Sequence, residues 1–506
     1  MPSCRTILPI KVAADPTAAV TTAHAGLLAY LELWCAIGMP QHIDRHLRLH
    51  GQQGWLTRQL IQALLLLNLL GGESITDIDR LEADTGLCAL ARLAEVFGLN
   101  REEKRALERR FRHGRTRTFP AATQLYTFLE QFHSAEEEAQ RTDGAFLPAP
   151  LPALTALQTL NGLLLAWLQA RHPQTTATLD VDATLAPTTI QTAKFCYKGP
   201  RAYQPLNVYW AEQQVVLHSE FRDGNVPAGY QLQRVVEESL AHLPAGVQTL
   251  YLRSDSAGYT TDVLFWCERA DRHPRYGRIL FTISCAITKE FRQAVSAVTE
   301  WTPEYHLVRG KRQPTGREYA EVVYVPNSHA VQSAIPEPFR YLAIREKLHD
   351  QLALPGVGEQ GTLPFPTVEA GGRLYKLAGI VTNRRADDAA ALIAWHYGRC
   401  GKSEEAHAIM KEDFTGGRFP SQLFGANAAW WALMILSLNL QQVMKRMVLG
   451  TDWLPKRMKA VRFGVITQAG RLLCHARQQV LRVSREFAAQ LAAWRATIST
   501  LVPAPA

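Results

Sequence analysis

The spacing of apolar residues changes period along the chain. Gly26–Ile37 and Leu56–Leu70 carry them at helical spacing. Thr76, ahead of Asp77-Ile78-Asp79, is placed to cap a further helix. Leu147-Pro148-Ala149-Pro150-Leu151-Pro152 reads as a linker, followed by a helix over Ala153–Arg171. After Pro173 the period shortens to two. In Thr176–Asp182, Leu179 and Val181 fall on one face of a strand, Asp180 and Asp182 on the other. Leu206–Trp210 and Val215–Phe221 read as a strand pair and Gln231–Leu243 as an amphipathic helix. Thr249–Leu252 is a short apolar strand ending at Arg253-Ser254-Asp255; a helix at Thr260–Ala270 and a strand at Arg278–Ser284 follow. This order is an α/β layout with carboxylates at strand positions. From about residue 290 to 375 the pattern is β-rich, in His306–Val308, Glu318–Val325, Arg340–Arg345 and Leu374–Val381. One helix is predicted from about Asp387 to Asp413, and helices again from Asn427 onward.

A chain of 506 residues has room for about three or four domains. With 47% hydrophobic and 20% charged residues, disorder is excluded as the main state. The eight cysteines are scattered, with no C-x-x-C pair, which argues against a disulfide scaffold or a cysteine zinc site. Neither a signal peptide nor an apolar run of the ~20 residues needed to cross a bilayer is read. An intracellular protein that does not enter membranes is therefore expected. Lys and Arg number 55 against 46 Asp and Glu, a formal charge of +9. That balance makes nucleic acid a plausible partner. Arg101–Thr118 concentrates base, with Arg109, Arg110 and Arg112 at its centre. It reads equally well as a solvated helix face or as a surface that tracks phosphates. The last stretch, from Lys445 to Arg495, is also strongly basic.

Three acids stand out. Asp182 lies on a half-buried strand, where a carboxylate is costly unless paired or bound to a cation. Asp255 follows an apolar strand, and ligands of open α/β sheets gather at carboxyl ends of strands. Taken alone, Asp255 suits a helix N-cap equally. Glu404 shares a helical stripe with Tyr397, Cys400 and Lys411 and, alone, reads as part of a solvated face. Together, two strand Asp and a helix Glu are hard oxygen ligands that suit Mg²⁺ or Mn²⁺. Two such metals would support in-line displacement at a phosphate.

On these residues the chain resembles bacterial insertion-sequence transposases of the DDE type. It looks most like the insertion-sequence family 1380 branch, related to the group with a Tyr–Arg–Glu–Lys signature. Tyr397, Glu404 and Lys411 fall on that signature's spacing, and Cys400 stands at its Arg position with Arg399 adjacent. Asp182-Ala183-Thr184 matches the first-acid motif, with Asp180 as second choice. Arg253-Ser254-Asp255-Ser256-Ala257-Gly258-Tyr259 resembles the second, with Ala257 as an extra residue. Tyr203-Gln204-Pro205-Leu206, Arg222-Asp223-Gly224-Asn225, Phe119–Phe132 and Ala426–Trp430 resemble further landmarks.

The resemblance implies an α/β fold: a ribonuclease-H-like catalytic core interrupted by a β-rich insertion, with helical N-terminal and C-terminal regions. The expected division is 1–145 for binding DNA ends, 172–290 for the first part of the core and 291–375 for the insertion. The Glu-bearing second part would take 376–440 and a basic helical region 441–506. Asp182, Asp255 and Glu404 would be the catalytic residues and hold Mg²⁺, with Mn²⁺ as a substitute. Tyr397, Arg399, Lys411, Arg109, Arg110 and Arg112 would contact DNA; Arg222 and Asn225, in a loop, would support the site or touch DNA, or serve equally as parts of a plain turn. Trp301 would either stack on an unpaired base or sit in the core. Partners would be double-stranded DNA, as transposon inverted-repeat ends and target, held by a homodimer in the bacterial cytoplasm at the nucleoid. Two other readings are a DNA-binding protein derived from a transposase and a metal-dependent nuclease without strand transfer. Retention of all three acids disfavours the first.

Overall fold

In the computed structural model, the described residues are 20–49, 51–308, 311–326, 328, 337–348, 365–399, 402–414, 416–475 and 478–502. The alternating segments build one large sheet. Its strands are β1 (Thr176–Ala183), β2 (Leu206–Trp210), β3 (Val215–Glu220), β4 (Thr249–Ser254) and β5 (Leu280–Ser284). They continue with β6 (Thr302–Val308), β7 (Lys311–Val322), β8 (Arg340–Lys347), β9 (Thr367–Ala370) and β10 (Arg373–Thr382). The spatial order is β3-β2-β1-β4-β5-β10-β8-β7-β6, with β9 alongside β10. The β1–β4 and β4–β5 pairs are parallel and all others antiparallel. Strands from the segment expected as an insertion thus join the same sheet through β10, which pairs with β5 at Ile380–Thr382.

Two long helices, Pro152–Arg171 and Phe424–Met444, pack on each other beside the β3 edge. A sheet edge exposes unpaired main-chain groups, and two asparagines in these apolar helices satisfy them here. Asn439 accepts from Val216 N at 2.9 Å and donates to Val216 O at 2.8 Å. It also donates to Asn161 Oδ1 at 2.7 Å, while Asn161 donates to Val216 O at 3.1 Å. Among the described residues no single helix is long and apolar enough to cross a membrane.

The helix expected to run unbroken from Asp387 to Asp413 is divided. One helix spans Ala389–Tyr397, another Lys402–Ala408, and a wider turn takes Ile409–Asp413. Inside an α-helix the Trp395 carbonyl would accept from the Arg399 N–H. Here it accepts from the Arg253 side chain at 2.6 Å, and Arg399 N turns to the His396 carbonyl instead. The C-terminal region departs from the all-helical expectation too. Gly470–His475 and Gln478–Arg482 form an antiparallel hairpin, and Gly470–Leu472 pairs with Val20–Thr22. These strands are short, and their alternation is hidden among basic residues.

The two ends of the described chain therefore pack as one unit, with the helices Leu27–Ile37 and Arg485–Leu501 in contact. The N-terminal segment also meets the C-terminal region at Gly26, where a Cβ would lie 1.8 Å from the Val465 carbonyl oxygen. Gly26→Ala is expected to destabilise the protein by about 1–3 kcal/mol. A thermal melt reads this directly, and an unchanged Tm would mean that the two segments separate freely.

Candidate active site

β1 and β4 run parallel with Asp180 opposite Arg253 and Val181 opposite Ser254. Since side chains alternate along a strand, Asp182 and Asp255 follow one rung further on the same face. Asn207 of β2 lies opposite Asp182, completing a polar row at the carboxyl ends of the parallel strands.

The lower rung is a buried ion pair. Arg253 Nε donates to Asp180 Oδ1 at 2.6 Å and Nη2 to Oδ2 at 2.8 Å. Asp180 is 1% exposed and Arg253 5%. Burial pushes the Asp180 carboxyl up, against the hydrogen bonds and charge of Arg253. The guanidinium also lies 4.9 Å from the Trp395 ring. Asp180 is thus occupied with holding the sheet to the helix Ala389–Tyr397.

The upper rung is open. Asp182 and Asp255 are each half-buried and line one groove of about 580 Å³ with Asn225 and Pro227. Asp255 also accepts from Ala257 N at 3.0 Å, so it caps the short turn Ser256–Gly258 while facing the groove. Burial first, and then the Asp182 charge, push its carboxyl above the ordinary range. Arg399 donates to Asp182 Oδ2 at 3.2 Å from the turn after the broken helix. His407 Nδ1 lies 4.0 Å from the same oxygen. Sequence reasoning passed over His407, although it stands three residues after Glu404.

Glu404 belongs to the helix Lys402–Ala408, whose fold brings His407 to Asp182; its own side chain and Cys400 lie outside the described residues. Among the described residues no three His, Cys, Asp or Glu side chains form a ready cation site. Tyr397 is half-buried under the Arg317 guanidinium, 4.9 Å from its ring. Lys411 donates to the Leu185 carbonyl at 3.3 Å, which places it beside the end of β1.

Other candidates for DNA contact have partners within the chain. Arg222 is 0% exposed and bonds Glu220 Oε1 at 2.7 Å and the Pro227 carbonyl at 3.3 Å. It braces its own turn and offers no surface to a phosphate. Asn225 donates to the carbonyls of Asp143 and Gly144 at 3.0 and 2.8 Å, fastening the segment before the linker to that turn. Trp301 is half-buried beneath Arg345, 4.0 Å from its ring.

The basic run divides as well. Arg110 holds the Gly54 and Gly51 carbonyls at 2.9 and 2.5 Å. Arg115 is paired with Glu95 at 2.6 Å, both side chains buried. Arg101, Lys104, Arg105, Arg109 and Arg112 are exposed on or just after the helix Arg101–Arg109.

The family model described as Transposase DDE domain group 1 matches residues 7–502. The chain belongs to this DDE transposase family. No curated protein matches it. A cryo-EM structure of the piggyBac transposase synaptic complex with hairpin DNA is similar at 10% identity and a TM-score of 0.34, covering 96% of this chain and 86% of that one.

Two outcomes are expected of the transposase's polar rungs. Asp180→Ala strands Arg253 as an uncompensated buried charge and should cost about 3–5 kcal/mol. Asp182→Ala removes a half-buried acid that meets Arg399 through one nitrogen and stands beside another carboxylate, and should cost clearly less than Asp180→Ala. Chemical denaturation of both variants gives the comparison; equal losses would contradict the division between the rungs.

The second outcome concerns His396, held neutral between Thr282 Oγ1 at 2.9 Å and Ser284 Oγ at 3.0 Å. Burial, then Arg399 and Arg253, lower its pKa from 6.5 to about 3. Between those values the unfolded chain takes up a proton that the folded chain refuses. Stability should therefore fall as pH drops from 6.5 toward 3, by at most about 1.4 kcal/mol per pH unit from this group. His396→Gln should flatten that part of the stability profile, and an unaltered slope would refute the assignment.

Proposed function

We propose that this transposase binds double-stranded DNA at the inverted-repeat ends of a mobile element, cuts there by phosphodiester hydrolysis, and joins the freed 3′ ends to target DNA. The observation that carries the reading is the pair Asp182 and Asp255, side by side at the ends of adjacent parallel strands and open to a groove. In this reading β3-β2-β1-β4-β5 is a ribonuclease-H-like core. Its mixed order, with the acids on the two central parallel strands, supports the assignment. The remaining strands would be the family's insertion, built onto the same sheet. The likeness to the insertion-sequence family 1380 branch supports a bacterial element acting at the nucleoid, with two ends held by a homodimer.

The donor chemistry fits a hard divalent cation. Two carboxylates share one rung; burial first, and then the Asp182 charge, raise the Asp255 pKa, and a cation between the two acids would relieve that repulsion. Asp182, Asp255 and Glu404 would hold Mg²⁺, or Mn²⁺ in its place. When bound, such ions activate a water or 3′-hydroxyl and stabilise the leaving oxygen. The chain's own groups do the rest. Asp180 and Arg253 fix the strand register that aligns the acids. Arg399, beside Asp182, supplies positive charge next to the scissile phosphate, and Lys411 adds a point charge at the end of β1. Tyr397 is placed by Arg317 to border the DNA backbone. Arg109 and Arg112 belong to the exposed basic surface that would track phosphates, while Arg110 shapes the loop beneath it.

Asp182→Ala, Asp255→Ala and Glu404→Ala should each reduce cleavage to background while changing DNA affinity little, because phosphate contacts supply most of that affinity. Nicking and gel-shift assays on the same preparations, with the gene's flanking inverted repeats as substrate, test this in Mg²⁺ and in EDTA. Cleavage by Asp182→Ala, or in excess EDTA, would overturn the assignment. Arg399→Ala should slow single-turnover cleavage, and a parental rate would reduce Arg399 to a structural counter-ion.

A further inference from the structure

The groove holding Asp182 and Asp255 has a second wall that neither acid requires. It is the hairpin Lys194-Phe195-Cys196-Tyr197-Lys198-Gly199-Pro200-Arg201, whose Phe195 and Tyr197 line the same groove. Phe195 is 60% exposed and Tyr197 77%, at a place where the chain is closely tied down. Cys196 N donates to the Pro200 carbonyl and Gly199 N to the Cys196 carbonyl, both at 2.9 Å. Gly199 takes φ 101°, the left-handed region that closes such a turn. Arg201 donates to the Ala193 carbonyl at 2.6 Å, and Thr192 to the Gln422 carbonyl. Cys196 is buried against Gly224, where a Cβ would lie 3.1 Å from the Cys196 Cβ.

The two rings are therefore presented to solvent by a fastened hairpin. Each carries a cation: the Arg201 guanidinium is 4.3 Å from the Phe195 ring centroid, and the Lys198 ammonium 5.6 Å from that of Tyr197. Exposed aromatic faces combined with Lys and Arg favour single-stranded nucleic acid, since bases stack on rings while cations meet phosphates. An apolar protein partner fits this positive rim less well, and fully paired duplex buries its base faces.

We propose that the Phe195–Tyr197 hairpin is a stacking platform for an unpaired base next to the phosphate bound at Asp182 and Asp255. This rests on the DNA-cutting reading above, and Tyr197, the more exposed ring, makes the principal contact.

The full-length protein would be mixed, in Ca²⁺, with a duplex bearing a short thymine flap and 2-aminopurine at the flap junction. Stacking on a ring should quench the fluorophore. Tyr197→Ala is expected to lose most of that quench and to bind the flap DNA about tenfold more weakly. Tyr197→Phe should retain both, and binding to the same duplex without a flap should be equal for all three proteins. Because the ring is exposed, an unchanged melting temperature can be verified for each variant. Parental quench and affinity in Tyr197→Ala would overturn the proposal, as would equal losses on flapped and blunt DNA, which would indicate a general backbone contact. Flap binding abolished by an apolar peptide but not by oligothymidylate would overturn it in favour of a protein site. The cutting reading has its own readout. If Asp182→Ala quenches as the parent does and cleaves nothing, both stand. If the parent quenches but never cleaves in Mg²⁺, only the cutting reading fails.

Discussion

The ion pair between Asp180 and Arg253 joins three parts of the molecule that the sequence keeps far apart. Its two parallel hydrogen bonds cross from β1 to β4 and hold the register in which Asp182 and Asp255 share a rung. A slip of one residue between the strands would put the two acids on opposite faces. The third arm of the guanidinium takes the Trp395 carbonyl and ends the helix there. That ending lets the chain turn so that Arg399 meets Asp182. A buried pair of this kind contributes little net stability compared with well-packed apolar residues. Its value here is geometric, because an apolar pair could not also withdraw a carbonyl from a helix.

One rung above, the balance of charge is different. Asp180 has a full bidentate partner, whereas Asp182 has one guanidinium nitrogen at 3.2 Å and an imidazole at 4.0 Å. Asp255 accepts from the Ala257 main chain and the Ser254 hydroxyl, with the Asp182 charge beside it. Two acids separated by one position in a strand thus differ through their neighbours: one is held bidentately by a buried guanidinium, the other lies next to a second carboxylate. Two such carboxylates side by side at the mouth of a groove, with the Asp255 carboxyl pushed up by burial and then by the Asp182 charge, mark functional sites more often than structural ones.

Much of this was legible in the sequence. Period-two alternation located β1, short apolar or strand-like segments located β2 through β5, and the strand-end position singled out Asp255. What the pattern could not separate was Asp180 from Asp182, since both lie on the same face of one strand. Only the partner across the sheet distinguishes them, and that partner, Arg253, is seventy-odd residues away. The single helix through Glu404 was overestimated for a related reason. Local spacing from Tyr397 to Lys411 is helical, but the hydrogen bond that ends the helix comes from outside it. The terminal hairpin at Gly470–Arg482 escaped because its strands carry basic residues on a half-exposed surface, which reads as helix or loop. Phe195 and Tyr197 sit in a turn rich in Gly, Pro and Lys, where an aromatic pair has no core to enter. That mismatch was a signal available in the sequence alone.

The arginines show why net charge is a poor guide to where a polyanion would lie. Arg222, Arg253, Arg115 and Arg110 satisfy carboxylates and carbonyls inside the fold. Their charge is neutralised or directed inward, and removing them would disturb shape before it disturbed any partner. Arg101, Arg105, Arg109 and Arg112 remain in solvent, where screening limits each to short-range effects but where several together make a field. Arg201 belongs to neither group, since its guanidinium is tied to the Ala193 carbonyl yet lies over an exposed ring at the rim of the acids. A cation fixed in that position cannot follow a flexible partner. It can only meet one that arrives with a phosphate beside an aromatic face, and an unpaired nucleotide is built in that way.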